Sequence, residues 1–261
     1  MKKRTAFFGA ILSLIPSGQP LIFKTGIILS NVATISVLSE QVNAESAEFY
    51  FDRAFEKGEN GDYYGAISDY TKAIEINPKD AIAYYNRGWN KGSLKDYYGA
   101  ISDYTKAIEI NPKYINAYNN RGINKRKLKD YYGAISDYTK AIEINPKDAL
   151  PFANRGYAKN LIKDYSGAIS DYTKAIEINP ENADSYNNRG FSKSKLKDYY
   201  GAIADYNKAI VINPQYALGF FNRSIAKENI GDVEGACVDA KKAVSLGEND
   251  AKNQNWIEKN C

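Results

Sequence analysis

Apolar residues recur along this chain at three- and four-residue steps, in runs that restart at a constant interval. Within Asp62–Lys79, DYYGAISDYTKAIEINPK, the residues Ala66, Ile67, Tyr70, Ala73 and Ile74 fall on one stripe of a helix. Asp62 stands where a side chain caps the helix start. Asn77-Pro78 stops it, because the residue before a proline is pushed out of helical geometry. Tyr84, Gly88, Trp89 and Leu94 give the stripe of a partner helix. The segment recurs unchanged at Asp96–Lys113 and Asp130–Lys147, and softer copies begin at Asp164, Asp198 and Asp232, always 34 residues on and without insertion. A fixed period of this size predicts stacked antiparallel helix pairs. One pair alone buries neither of its faces, so neighbouring copies must supply the core.

The 34-residue spacing, with Gly88, Ala100, Ala107 and Pro112 at fixed offsets, resembles the tetratricopeptide repeat (TPR). The resemblance implies an all-α fold: a right-handed α-solenoid of six TPR helix pairs plus a C-terminal capping helix. The repeats would be 47–80, 81–114, 115–148, 149–182, 183–216 and 217–250, with the cap over 251–261. Each copy keeps an aromatic near the start of its first helix (helix A): Tyr50, Tyr84, Tyr118, Phe152, Tyr186 and Phe220. Arg replaces the family's usual leucine three residues on, and Lys its later tyrosine. The first copy is acidic along helix A, and the sixth drifts and lacks its proline, as terminal repeats do.

Function is implied by the same resemblance. Helix B, the second of each pair, barely varies between copies two and five, while helix A varies widely. In TPR proteins helix A lines a concave groove. The sixth position of helix A carries Asn86, Asn120, Asn154, Asn188 and Asn222, where an amide serves either an extended peptide backbone or a neighbouring helix. The ninth position carries Phe55, Trp89, Ile123, Tyr157, Phe191 and Ile225, an apolar strip that is either groove lining or helix contact. The fifth position adds Tyr85, Asn119, Asn187 and Phe221. The basic clamp of chaperone-binding TPRs is not reproduced, since Phe51 and Ile82 occupy its lysine positions. The expectation is a non-catalytic scaffold that binds a protein or peptide partner in the groove; the alternative is an adaptor that self-associates in a membrane or envelope assembly.

Charge and composition narrow this further. Arg87, Arg121, Arg155, Arg189 and Arg223 are placed to meet Asp69, Asp103, Asp137, Asp171 and Asp205 as a ladder of structural ion pairs. Lys125, Arg126, Lys127 and Lys129, echoed by Lys193, Lys195 and Lys197, read as solvated helix ends. The chain has no histidine, which removes the commonest general base and metal ligand, so no catalytic or metal site and no cofactor are expected. Net charge is +4, of which the first 44 residues hold +3, so the repeats offer no basic field for nucleic acid. Residues 1–44 combine a basic start, two apolar runs and Val42-Asn43-Ala44, the pattern of an export signal or, alternatively, a membrane anchor. Export would place the protein in a periplasm or equivalent lumen. There Cys237 and Cys261 could bond and pin the cap to the array.

Overall fold

A computed structural model describes residues 21–22, 28–29, 46–248 and 251–261, with the side chains of 21–22, 28–29 and 251–253 outside the description. Two short strands, β1 (Leu21–Ile22) and β2 (Ile28–Leu29), pair antiparallel with Leu21 opposite Leu29. The rest of the 1–44 segment, read above as a signal or anchor, lies outside the described residues. Among those described, no helix is long and apolar enough to cross a membrane.

Thirteen helices follow among the described residues. The A helices are α1 (Ala47–Glu59), α3 (Ala81–Ser93), α5 (Ile115–Lys127), α7 (Ala149–Leu161), α9 (Ala183–Lys195) and α11 (Ala217–Asn229). The B helices are α2 (Tyr63–Ile76), α4 (Tyr97–Ile110), α6 (Tyr131–Ile144), α8 (Tyr165–Ile178), α10 (Tyr199–Ile212) and α12 (Val233–Ser245). The last, α13 (Ala251–Asn260), packs on α12. Every B helix starts with an aspartate whose carboxylate accepts the third residue's N–H, as Asp96 does from Gly99 at 2.9 Å. The A–B turns of the four inner repeats pass through a left-handed residue, Lys95, Lys129, Lys163 and Lys197, where the end repeats have Gly61 and Gly231.

The core is a column of one residue type per level. Tyr70, Tyr104, Tyr138, Tyr172 and Tyr206 are almost wholly buried and sit among Ala66, Ala100, Ala134, Ala168 and Ala202. Glycine in helix A (Gly88, Gly122, Gly156 and Gly190) makes room for the rings of Tyr104, Tyr138, Tyr172 and Tyr206. A Cβ on Gly122 would stand 2.7 Å from Cε1 of Tyr138, and one on Gly190 2.8 Å from Tyr206. Each helix packs on the next in the chain, and successive A helices also touch one another, whereas successive B helices make no comparable contact. The A layer is therefore the tighter, inner side of the curve.

The seams are held by charge. Arg121 donates to Asp137 through Nε (3.0 Å) and Nη2 (2.7 Å), and through Nη1 to Thr105 Oγ1 of the preceding repeat (3.0 Å). Arg87, Arg155 and Arg189 repeat the arrangement with Asp103, Asp171 and Asp205. The pairing shifts by one copy from a simple reading of the sequence, since Asp69 takes Arg53, and Arg223 takes Asp239 with Asn207 in place of the threonine. A lysine completes every rung: Lys125 reaches Asp137 at 2.9 Å and Lys193 reaches Asp205 at 2.8 Å. This corrects the reading of the basic runs as solvated ends. Lys125 and Lys193 lie four residues after the rung arginine, hence on the same helix face.

At the far end, Trp256 of α13 donates its Nε1–H to Glu228 (2.7 Å), and Cys237 is bonded to Cys261 with their Cα atoms 5.6 Å apart.

Candidate functional site

The inner face is built from A-helix positions that helix B does not cover. At the ninth position Phe55 is 53% exposed, and Trp89 and Tyr157 are each 42% exposed; Ile123 and Phe191 are half-buried. The sequence pattern also places Trp89 on the packing stripe of its helix; it meets Tyr63 edge to face at 5.9 Å and keeps 42% of its surface free. Recesses open between successive A helices on this face. One of about 180 Å³ lies between Phe55 and Trp89 over Asn86 and Tyr70. One of about 400 Å³ is bounded by Trp89, Asn120, Ile123 and Lys127. One of about 300 Å³ is lined by Tyr157, Leu161, Phe191 and Leu218, with Asn187, Asn188 and Asn222 on its wall.

The asparagines are largely committed to the scaffold. Asn120 donates to the Tyr85 hydroxyl (3.0 Å), Asn154 to Asn119 Oδ1 (2.9 Å) and Asn222 to Asn187 Oδ1 (2.9 Å). These three sixth-position amides thus bond the fifth-position residue of the preceding repeat. Asn119 and Asn187, read as groove lining, are buried between helices and spend their carbonyl oxygens on this ladder. The rung is missing at Asn188, because Ala153 offers no acceptor; Asn188 receives a long contact from Asn187 instead (3.5 Å). Asn86 faces Tyr70, whose hydroxyl burial pushes up to about 12 while the amide pulls it back. The sequence held this ladder in the pairing of positions 35 apart, which reading one copy at a time does not show.

Between the second and third recesses the face is filled. Arg126 lies with its guanidinium 4.7 Å from the centre of the Tyr157 ring. The equivalent residue is Gly58, Gly92, Asn160, Ser194 or Glu228 in the other copies. Its Nε is buried, and among the described residues nothing accepts from it. The hydroxyls of Tyr138 and Tyr172 are buried in the same unpartnered way. Burial pushes Tyr138 up to about 12, and the nearby Arg126 charge pulls against it. The sequence pattern groups Arg126 with the solvated helix ends; the structure sets it inward, and Lys127 and Lys129 alone of that run are exposed.

A stack of two-helix repeats with a lined inner face defines a helical-repeat interaction scaffold. The tetratricopeptide repeat profile matches residues 81–114, 115–148 and 183–216, and a second TPR repeat profile matches 59–92 and 162–197. The chain belongs to the tetratricopeptide repeat family, whose arrays are in general non-catalytic platforms for protein interaction. Among solved structures it is similar to MamA (26% identity, TM-score 0.59, covering 66% of this chain and 94% of that one). It also resembles YrrB, described as a TPR protein with an unusual peptide-binding site (22%, 0.61, 73% and 97%). PilF of Pseudomonas aeruginosa has the same fold (18%, 0.69, 83% and 99%). No curated protein matches the chain.

Proposed function

We propose that the inner face binds an extended peptide or a partner helix, with Trp89, Tyr157 and their ninth-position neighbours as apolar anchors. The observation that carries this reading is the exposure of large apolar side chains on helix A at one repeated position, beside recesses of side-chain size. The scaffold is held by ion pairs and amide rungs before any partner arrives, so little ordering cost falls on binding. The peptide-binding site named for YrrB, on the same fold, agrees with this use of the surface. The test is affinity capture on the wild-type chain beside a Trp89→Ala/Tyr157→Ala variant. Partners retained by the first and lost from the second support the proposal; identical capture profiles from both refute it.

The proposed setting is outside the cytoplasm, with residues 1–44 as export signal or membrane anchor. The bonded Cys237–Cys261 pair suits an oxidising compartment. Mass analysis of the N-terminus of protein recovered from cells tests this, and an intact Met1 in a soluble cytoplasmic fraction would count against it.

One observation favours self-association as a second reading. Tyr64, Tyr98, Tyr132 and Tyr200 are 74–77% exposed and recur at the start of four B helices, with Ser166 in their place on α8. Light scattering across a concentration series separates the readings: a constant monomer mass removes the second.

A further inference from the structure

We infer that the peptide taken by the inner face presents a carboxylate side chain to Arg126, between apolar side chains that enter the recesses on either side. The inference rests on the peptide-binding reading and names the chemistry of its ligand.

The charge on the inner helices is lopsided. Helices α3, α5, α7 and α9 carry eleven arginines and lysines, of which eight are consumed by the aspartate rungs of helix B. Arg126, Lys127 and Lys195 remain, with no ion pair among the described residues, and Lys195 rests over the Phe191 ring at 5.0 Å. The one carboxylate on these four helices, Asp184, already accepts from the Tyr216 hydroxyl at 2.6 Å. The unspent charge therefore centres on α5 and calls for a negative partner.

Arg126 is built to receive one. Its stacking on Tyr157 fixes the plane of the guanidinium, and its Nε–H is withdrawn from water without an acceptor among the described residues. A planar fork held in this way suits a carboxylate, which can accept from two of its nitrogens. Position matters as well. The Trp89–Ile123 recess lies between α3 and α5, Arg126 bridges α5 to α7, and the Tyr157–Phe191 recess lies between α7 and α9. Neighbouring packed helices stand roughly 8–10 Å apart, and an extended chain advances about 3.3 Å per residue. The ligand pattern is then an acidic residue with an apolar one about three positions away on each side.

Three synthetic twelve-residue peptides test this. Each has a Gly/Ser background, a Leu three positions before and after the centre, and Asp, Ser or Lys at the centre. Fluorescence anisotropy with the full chain is expected to rank Asp above Ser by about tenfold, the scale of a charge-assisted hydrogen bond in a partly dry site, and to rank Lys last. Arg126→Gln should erase the Asp–Ser difference. Arg126→Glu should reverse the order in favour of Lys. Thermal melts by circular dichroism confirm that both variants remain folded, and Arg126→Lys, which keeps the charge, should retain part of the Asp preference. An Asp preference that survives Arg126→Gln overturns the inference. Equal binding of all three peptides, lost in Trp89→Ala, overturns the carboxylate and leaves the groove. Binding of none overturns both. An oligothymidylate that displaces the Asp peptide at equal concentration would transfer the site to nucleic acid and overturn it too.

Discussion

Replacing Arg121 with Met tests what holds one repeat to the next. Arg121 is 15% exposed and its partner Asp137 is 4% exposed, so this rung is largely out of water. The substitution removes two hydrogen bonds to Asp137 and one to Thr105. Stripping a buried carboxylate of its only partner costs about 3–5 kcal/mol. Here Lys125 still neutralises Asp137 at 2.9 Å, so the expected loss is smaller, about 2–3 kcal/mol, the scale of one or two charged hydrogen bonds. The matched control is Arg53→Met. Arg53 is 39% exposed and has no preceding repeat to bond, and a pair that open is worth about 1 kcal/mol or less. Lys125→Met alone should cost about 1 kcal/mol. Together with Arg121→Met it leaves Asp137 alone, and the pair should lose about 3–5 kcal/mol, at or above the roughly 3–4 kcal/mol sum of the separate changes. Urea unfolding followed by far-ultraviolet circular dichroism supplies the values. If Arg121→Met falls within about 0.5 kcal/mol of wild type, or costs no more than Arg53→Met, the ladder is not what binds the repeats.

Other outcomes follow from the same structure. The hydrogen bond from Arg53 holds the Asp69 carboxyl down at about 2, against an ordinary 3.8. Its contribution is therefore complete above pH 4 and disappears as pH falls towards 2. Fully buried, such a shift would be worth roughly 2 kcal/mol; with Arg53 half in solvent it should be roughly 1 kcal/mol, read as the difference in acid stability between wild type and Asp69→Asn. Gly122→Ala places a Cβ 2.7 Å from Tyr138. Overpacking of about 1–3 kcal/mol should outweigh the helix-propensity gain of about 1 kcal/mol, lowering the melting temperature. Cys237→Ser opens a loop of sequence separation 24 and should cost about 3 kcal/mol by chain entropy, seen first as faster amide exchange in α12 and α13.

The solenoid was legible because its cause is periodic. The 34-residue repeat, the Ala–Tyr–Ala stripe of helix B and the proline stops each state one local fact, and six copies state it together. The site was less legible for two physical reasons. An asparagine donates and accepts with equal ease, so Asn120 or Asn154 carries no sign of whether its partner is a ligand or the previous helix; only Tyr85 and Asn119, in another copy, decide that. Arg126 was hidden by its neighbours. Read as a run, Lys125 to Lys129 is a charged helix end, but 100° turns per residue send Lys125 to the Asp137 rung, Arg126 onto Tyr157 and Lys127 to solvent.

Arg87, Arg121, Arg155 and Arg189 each straddle a seam, gripping an aspartate of their own repeat and a threonine hydroxyl of the one before, and Arg223 takes the Asn207 amide there. Among the described residues Arg53 has no preceding repeat to grip, whereas the opposite end is closed by the Cys237–Cys261 bond and the Trp256–Glu228 contact. The array thus has a soft end and a hard end. Pulled or warmed, it should unzip from α1 inward, one pair of helices at a time, while the last repeats stay assembled.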